Sequence, residues 1–407
     1  MTKILNLAGE ILGWALAWVV PRDGGLCVAG AWMGEMYGDN SRYFVEYLLS
    51  HSAKRVVWIG NAFVRDRLPR HPRLAFAQRG TWRAAWSALR AKCWIVVQGP
   101  LDIGHSGLRG NAVVLNFWHG LAFKRSGATR ADGGVKTGAR SLSLKSRIAR
   151  ALTRRKDDEA GWTSVASMLG GRHLAEAFPQ YFSTDRLLPF GTPRNDYLIR
   201  NRDNESLRRE LKARYCRMLG IPADRRIVLY LPTFRKSGAR TFSFYALSGK
   251  VRDEIANLMR NENAVLVEKH HFLALRENPP PRDASADWNA VVGEGLSRDI
   301  LTQELLLATD VLVTDYSSVF IDYCLLDRPC IHFVYDLEEY RTNDSGLAYD
   351  PEEVGGGPCV RTAEELPAAL KDALAAKHGY PRPGYAGLVE FERGNACEQV
   401  ADWLNRS

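Results

Sequence analysis

The chain has 407 residues, which is enough for two domains of ordinary size, and its hydrophobic content of 46% and charged content of 25% are those of a globular protein. Its formal net charge of +9 favours an acidic partner, such as a nucleotide, an anionic polymer, a lipid surface or nucleic acid, without distinguishing among them. The seven cysteines include no C-x-x-C pair, so the sequence indicates neither a disulfide framework nor a zinc site.

Residues 4–20 are apolar, but the run is short for a membrane span, which needs about 20 residues. A signal peptide fits poorly, because only Lys3 precedes the run and no small-residue cleavage site follows it. The run therefore predicts either an interfacial helix, with Trp14 and Trp18 at the level of the lipid headgroups, or a helix buried against the first domain. We assign residues 1–22 to this membrane-associating helix.

The first half of the chain is typical of an α/β domain. Short apolar runs predict strands, and helical stretches lie between them, as in a parallel, doubly wound sheet. The segment Gly38-Asp39-Asn40-Ser41 is expected to cap a helix whose buried face carries Tyr43, Phe44, Tyr47 and Leu48. This first domain is placed at residues 23–200, and its predicted strands cover residues 26–29, 56–59, 94–97 and 112–116.

The last of these strands ends in Phe117-Trp118-His119-Gly120. A histidine at the carboxyl end of a strand lies where a reacting group could approach it. Its ordinary pKa of about 6.5 suits proton abstraction at neutral pH. His119 is therefore a candidate general base. A single histidine is more often structural, and on its position alone that alternative stays open.

A strongly basic segment follows at residues 124–156, with eleven Lys or Arg and one acid, Asp132. Its later part places Leu144, Ile148 and Leu152 on one helical face with basic residues around it. That pattern is typical of membrane-surface helices and of polyanion contacts. A solvated basic helix is the alternative.

The second half repeats the α/β pattern after an Arg- and Glu-rich linker helix at residues 201–226. This domain is placed at residues 201–385, and residues 386–407 are expected to form a C-terminal helix. Strands are predicted at residues 227–231, 264–267, 311–314 and 330–334. The polar residues that follow the first three of these strands are Thr233, Arg235, Lys269, His271, Asp315, Ser317, Ser318 and Asp322.

These strand ends predict a phosphate-binding site. A helix that starts at Ser317 and Ser318 offers free N–H groups to an anion, but its dipole of about half a charge cannot hold a diphosphate alone. Because Arg235 and either Lys269 or His271 reach the same edge of the sheet, they can supply the missing positive charge. A capped crossover with no ligand is the alternative.

Several segments, taken in order, resemble the CDP-glycerol glycerophosphotransferases, which build or prime polyol-phosphate polymers. These segments are FWHGLAFK, GTPRNDYL, LYLPTFR, VEKHH, DILTQELLLATDVLVTDYSSVFIDY and LDRPCIHFVYDLEEY. The resemblance covers most of residues 26–370. It implies a GT-B-like α/β fold in which two Rossmann-like domains with doubly wound parallel sheets face a cleft. The acceptor would bind mostly to the first domain and the CDP-linked donor to the second.

The resemblance also implies roles for the residues in the matching motifs. The catalytic group would be His119, Arg235 and His271. The donor phosphate or nucleotide ligands would be Thr233, Lys269, Asp315, Ser317, Ser318 and Asp322. The acceptor side of the cleft would carry Gly120, Arg194, Asn195 and Asp196. Two departures, Phe272 where a proline is common and Ser345 where an arginine is frequent, leave the polyol and the acceptor open.

The expected reaction transfers a polyol phosphate, glycerol phosphate first and ribitol phosphate next, from a CDP-polyol to a lipid-linked or polymeric acceptor. No cofactor or metal is expected, since no two aspartates are separated by a single residue. The expected location is the cytoplasmic face of a bacterial plasma membrane, with peripheral attachment to anionic lipid and no nucleic-acid partner. Two rivals remain, namely a GT-B sugar transferase that uses a nucleotide sugar and a non-catalytic basic scaffold on membranes.

Overall fold

The computed structural model describes residues 13, 15–104, 106–121, 123, 125, 127–129, 161–179, 181–233, 241–270, 285–297, 299–343 and 346–407. These residues form two compact units. The first takes in the described parts of Met1–His119, Val135–Asp196 and Glu390–Ser407, and the second those of Gly120–Gly134 and Tyr197–Val389. The C-terminal segment thus belongs to the first unit, and the division falls between Asp196 and Tyr197 rather than at residue 200.

The first unit contains a five-stranded sheet in the order β3-β2-β1-β4-β5, with every neighbouring pair parallel. Its strands are β1 (Asp23–Ala29), β2 (Arg55–Gly60), β3 (Leu74–Gln78), β4 (Ala91–Val96) and β5 (Val113–Asn116). A second, two-stranded sheet joins β6 (Thr163–Ser164) to β7 (Leu187–Leu188). The central strand β1 alternates its side chains between two cores, with Cys27 and Ala29 in one and Val28 in the other.

Helices cover both faces of this sheet. The first unit contains α1 (Asp39–His51), α2 (Trp82–Arg90), α3 (Met168–Ala177) and α13 (Ala396–Arg406). Helices α1 and α13 pack into the core of Cys27, whereas α2 packs into the core of Val28. The buried residues of α1 are Phe44, Val45, Leu48 and Leu49 with the first-turn polar pair Asn40 and Ser41, so the buried face predicted from the sequence was wrong for the half-buried Tyr43 and Tyr47.

The second unit contains a six-stranded parallel sheet in the order β10-β9-β8-β11-β12-β13. Its strands are β8 (Arg226–Leu231), β9 (Ala264–Glu268), β10 (Asn289–Val291), β11 (Val311–Thr314), β12 (Cys330–Phe333) and β13 (Cys359–Val360). The chain enters this unit through α4 (Pro193–Asn201). The helices that follow are α5 (Glu205–Leu219), α6 (Gly249–Asn261), α7 (Glu294–Ser297), α8 (Thr302–Ala308), α9 (Val319–Cys324), α10 (Leu337–Asn343), α11 (Pro351–Val354) and α12 (Leu366–Ala375).

Much of the two segments predicted to meet a membrane lies outside the described residues. The parts outside are residues 1–12 and 14 of the N-terminal segment 1–22 and most of the basic segment at 124–156. Within the described parts of the chain, no helix is both long and apolar enough to cross a bilayer.

Candidate functional site

His119 lies just past β5 in an unusual stretch of backbone. Trp118 before it has φ 55° and Gly120 after it has φ 136°, conformations that strands do not adopt. Among the described residues, six that are not glycine have positive φ, and the four in the first unit are Trp32, Met33, Asp39 and Trp118. Such backbone costs about 1–3 kcal/mol per residue and persists only where neighbouring groups hold it, which is typical of functional sites.

Side chains from two distant segments hold the backbone on both sides of the imidazole. Arg194 donates from Nη1 to the carbonyl oxygen of His119 at 2.8 Å, and Asn40 donates from Nδ2 to that of Trp118 at 2.9 Å. Asn40 also accepts the backbone N–H of Arg194 at 2.9 Å. The two donors therefore lock each other in place as well as the peptide of His119.

Asp39 contacts both Arg194, which holds the backbone of His119, and Trp32, whose ring lies beside the His119 imidazole. Its Oδ1 pairs with Arg194 Nη1 at 3.1 Å, and its Oδ2 accepts the indole N–H of Trp32 at 3.0 Å. The ring of Trp32 lies 4.9 Å from the imidazole of His119 between centroids, and the ring of Trp118 lies 4.3 Å from it. The loop after β1 and the start of α1 thus supply a carboxylate and an aromatic ring to the surroundings of His119.

The loop that carries Trp32 is fixed in turn by Asp102, which is fully buried after β4. Its carboxylate accepts the backbone N–H groups of Met33 at 2.7 Å, Val97 at 2.7 Å and Gln98 at 2.8 Å. Burial raises the pKa of Asp102, and the nearby charge of Asp39 adds to that rise, whereas the three N–H groups oppose it.

Arg194, Asn195 and Asp196, which were predicted to line the acceptor side, make contacts in two different places. Arg194 points to His119, as described above. Asn195 donates to Glu392 at 3.0 Å, and Asp196 accepts the N–H groups of Ala396 and Cys397, at 2.9 and 2.8 Å, at the start of α13. Asn195 and Asp196 therefore attach the C-terminal segment to the first unit, and the structure brings only Arg194 and Gly120 of the four predicted acceptor residues to His119.

In the second unit, Asp315 organises the carboxyl edge of the sheet. It is fully buried and accepts the N–H of Thr233 at 2.8 Å and that of Tyr316 at 2.6 Å. It thus ties the end of β8 to the end of β11 instead of facing solvent. Arg235 and His271, which were predicted to bind the donor, lie outside the described residues.

The serine pair and Asp322 surround the start of α9. Ser317 and Ser318 are half-buried, and Ser318 occupies the N-cap position without a side-chain capping bond. The hydroxyl of Ser317 accepts the N–H of Val319 at 3.4 Å, a long hydrogen bond. Asp322 is buried in the helix and accepts from Gln303 at 3.2 Å. The hydroxyl of Ser318 is therefore not committed to capping α9.

Glu268 is a residue at this edge that sequence reasoning missed. Although it ends β9 it is fully buried, and it accepts the N–H groups of Phe244 at 3.0 Å and Tyr245 at 2.8 Å. Nε2 of His270 lies 3.2 Å from the same carboxylate. Lys269, between these two, is half-buried, and burial lowers its pKa to about 8. The sequence feature that could have identified Glu268 is an acidic residue at the end of an otherwise apolar strand.

The described residues contain no group of three or more His, Cys, Asp or Glu side chains placed to hold a metal ion. At the second sheet edge, the carboxylates of Asp315 and Glu268 accept backbone N–H groups, and the other polar groups include Lys269 and the hydroxyls of Ser317 and Ser318. These other groups suit an anionic ligand.

Comparison with known proteins identifies relatives over nearly the whole chain. The family model described as CDP-Glycerol:Poly(glycerophosphate) glycerophosphotransferase matches residues 14–405. The teichoic acid poly(glycerol phosphate) polymerase of Bacillus spizizenii is 27% identical over 417 residues, covering 99% of this chain and 96% of the relative. The polymerase of the same name from Bacillus subtilis is 28% identical over 386 residues, covering 91% of this chain and 47% of the relative. The chain thus spans about half the length of that second relative.

Among solved structures, a variant of the wall teichoic acid polymerase TagF is similar with a TM-score of 0.75 and 20% identity, covering 100% of this chain and 96% of that one. This likeness confirms the GT-B-like α/β fold class predicted from the sequence.

The lowered pKa of Lys269 generates a prediction about pH. Because its pKa is about 8, the lysine is charged below pH 8 and loses its charge as the pH rises through that value. A bound pyrophosphate favours the charged form, so CDP binding should take up a proton near pH 8 and weaken above it. Titration calorimetry in buffers of different ionisation enthalpy measures both effects. In Lys269→Arg both should vanish, and an unchanged proton uptake in that variant would exclude Lys269 from the anion site.

Proposed function

Because the chain belongs to the CDP-glycerol:poly(glycerophosphate) glycerophosphotransferase family, we propose that it transfers glycerol phosphate from CDP-glycerol to a hydroxyl of a lipid-linked or polymeric acceptor. CMP is the second product. The observation that carries this proposal is His119, whose backbone is held by Arg194 next to the strained Trp118, within a chain that the family matches from residue 14 to residue 405. The product is a teichoic-acid-like or capsule polymer of the cell envelope.

In the proposed reaction, the acceptor hydroxyl attacks the β-phosphorus of CDP-glycerol. A new bond forms between that oxygen and the β-phosphorus, and the bond from the β-phosphorus to the bridging oxygen breaks. CMP leaves with the bridging oxygen, and His119 takes the proton of the hydroxyl. Because CMP leaves as a phosphate monoester, catalysis rests on positioning and on neutralising charge.

Charge neutralisation is assigned to the carboxyl edge of the second sheet. Asp315 fixes the backbone of Tyr316, which precedes Ser317 and Ser318, and Lys269 follows the buried Glu268 at the end of β9. Arg235 and His271 follow the same strands in sequence. These cations and hydroxyls would bind the two phosphates of the donor, as the matching motifs of the family imply.

A sugar transferase that uses a nucleotide sugar is the second candidate, because a phosphate site at a sheet edge recognises any pyrophosphate. The two functions differ in the bond that breaks. A sugar transferase breaks the bond between carbon and oxygen and releases a nucleoside diphosphate, whereas the proposed enzyme releases a nucleoside monophosphate.

Peripheral attachment to a membrane is part of the proposal, and exposed tryptophans support it. Trp82 and Trp86 lie one turn apart on α2 and are 79% and 49% exposed, with the exposed Arg83 between them. Trp18, 61% exposed, lies in the helical segment at residues 15–19. Tryptophan favours the headgroup region of a bilayer, and arginine is attracted to anionic lipid.

Arg22 holds the segment of Trp18 close to α2. Its guanidinium donates to the carbonyl oxygens of Ala88 at 3.0 Å and Ala91 at 2.8 Å, at the end of α2. The same guanidinium donates to the carbonyl oxygen of Leu108 at 3.2 Å. The exposed tryptophans therefore belong to neighbouring elements of one unit, and we assign them to the surface that meets the lipid.

The reaction is tested by the leaving group. Purified protein is incubated with an acceptor-bearing membrane extract and, in turn, CDP-glycerol, CDP-ribitol and UDP-sugars, and the released nucleotide is identified by chromatography. We expect acceptor-dependent CMP, fastest from CDP-glycerol and next from CDP-ribitol. UDP from a UDP-sugar, with no CMP from either polyol donor, would assign the chain to the sugar transferases. Lipid binding without turnover of any donor, in an extract shown to contain acceptor, would favour a scaffold.

The membrane surface is tested by flotation with vesicles of phosphatidylglycerol and phosphatidylcholine. We expect Trp82→Ser with Trp86→Ser to lower the bound fraction at low and high salt alike, because tryptophan binds the bilayer through apolar surface that salt does not screen. Arg83→Gln should weaken binding about fivefold at low salt only, since a basic residue near the surface contributes about 1 kcal/mol. Leu169→Ser, at another exposed apolar residue of the first unit, is the matched control. Equal binding by the control and the tryptophan variant would contradict the assignment.

A further inference from the structure

We propose that Asp39 is a positioning residue for His119 and that Arg194 transmits its effect to the backbone. The inference rests on the proposed function, in which His119 is the base. It goes beyond that function, because the sequence singled out Asp39 only as part of a helix cap. The carboxylate of Asp39 and the guanidinium of Arg194 are both largely buried, with 9% of each side chain exposed.

His119 needs to be held in position because the backbone on both sides of it has an unusual conformation. The residue on each side of His119 has a positive φ, and a tryptophan in that conformation reverts to a relaxed strand or helix unless its neighbours prevent it. Arg194 and Asn40 prevent this by binding the carbonyl oxygens of His119 and Trp118. A relaxed backbone would turn the imidazole away from its present direction.

Asp39 has a special place among these groups because its two oxygens restrain His119 by separate routes. Through Oδ1 it orients the Arg194 guanidinium that donates to the His119 carbonyl. Through Oδ2 it holds the indole of Trp32, whose ring contacts the imidazole. One carboxylate therefore fixes both the backbone and one face of the ring.

The position of Asp39 is itself constrained. It has φ 57° at the start of α1, a conformation that aspartate and asparagine tolerate better than other side chains with a Cβ. Its Oδ1 also accepts the N–H of Asn40 at 2.8 Å, which places the side chain that braces Trp118. Asparagine at this position keeps the backbone and one acceptor oxygen but loses the charge, and its amide nitrogen cannot accept the indole N–H of Trp32.

The test compares Asp39→Asn with the wild type in the CMP-release assay. We expect kcat to fall about 10- to 100-fold, because a reacting group displaced by about 1 Å can lose 10²-fold in rate, while KM for CDP-glycerol stays within about twofold. Arg194→Lys should cause a similar loss. In the double variant the losses should not multiply, because both residues act through one restraint. Rates are expressed per folded site, counted by CDP titration.

Asp23→Asn is the matched control, since Asp23 is another carboxylate of the first unit, paired with Arg55 at the opposite edge of the sheet. It should retain the wild-type kcat. A kcat for Asp39→Asn equal to that of the wild type would overturn the inference. So would a loss that only tracks the unfolded fraction in thermal unfolding, or losses that multiply in the double variant.

A readout that does not depend on turnover separates this inference from the proposed function. In ¹⁵N spectra of histidine-labelled protein, Asp39→Asn should shift or broaden the imidazole signals of His119, assigned with His119→Asn, whereas Asp23→Asn should not. A wild type that releases no CMP would end the proposed function, and the positioning role would then be decided by these signals. Unchanged His119 signals in Asp39→Asn would overturn it.

Discussion

The strained peptide around His119 is the constraint on which the rest of the first unit depends. Trp118 at φ 55° is held by Asn40, and the next carbonyl is held by Arg194. These two donors lie in the first turns of α1 and α4, so both turns must be held beside the end of β5. The C-terminal helix α13 packs into the same core as α1, and Asp196, two residues after Arg194, accepts its first N–H groups. Early, middle and late parts of the chain thus meet to hold one histidine.

Both units use buried acids in the same way. Asp102, Glu268 and Asp315 each follow or end a parallel strand at its carboxyl edge, and each accepts two or more backbone N–H groups. A buried carboxylate is costly unless it is hydrogen-bonded, and here the bonds of Asp102 and Asp315 fix the backbone next to Trp32 and Ser317. In the second unit, Asp315 and Glu268 accept backbone N–H groups, and the anion ligands that we propose beside them are Lys269 and Ser318.

The sequence predicted most of the strands that build both sheets, because their β-branched and apolar runs are buried on both faces. It missed β3, where LAFAQ is an edge strand with a half-buried face and no β-branched residue, and the short strands β10 and β13. The predicted strand at residues 330–334 ends one residue earlier in the structure, at Phe333. In the site, His119 could be predicted because the sequence shows a histidine shortly after a predicted strand.

The side chains that hold His119 in place could not be predicted from the sequence in that way. Asp39 meets Arg194 across 155 residues, and Asn40 meets Trp118 across 78, and no local periodicity encodes such pairs. For the same reason the sequence could not separate Arg194, which points to His119, from Asn195 and Asp196, which attach the C-terminal segment. Glu268 was missed because a charged residue at a strand end is ordinarily solvated, whereas here it is buried and the backbone of Phe244 and Tyr245 and the side chains of His270 and Asn289 bond to it.

The central claim, that this scaffold presents His119 as the base for transfer of glycerol phosphate, is tested most directly by a single-turnover measurement. Enzyme in excess is loaded with CDP-glycerol labelled in the glycerol, acceptor is added, and transfer of label is followed on the millisecond scale for wild type and His119→Asn. The account predicts equal dissociation constants for CDP-glycerol and a transfer step slowed on the order of 10²–10⁴-fold in the variant. A variant that binds the donor and transfers at a near-normal rate would contradict the account and make the histidine structural.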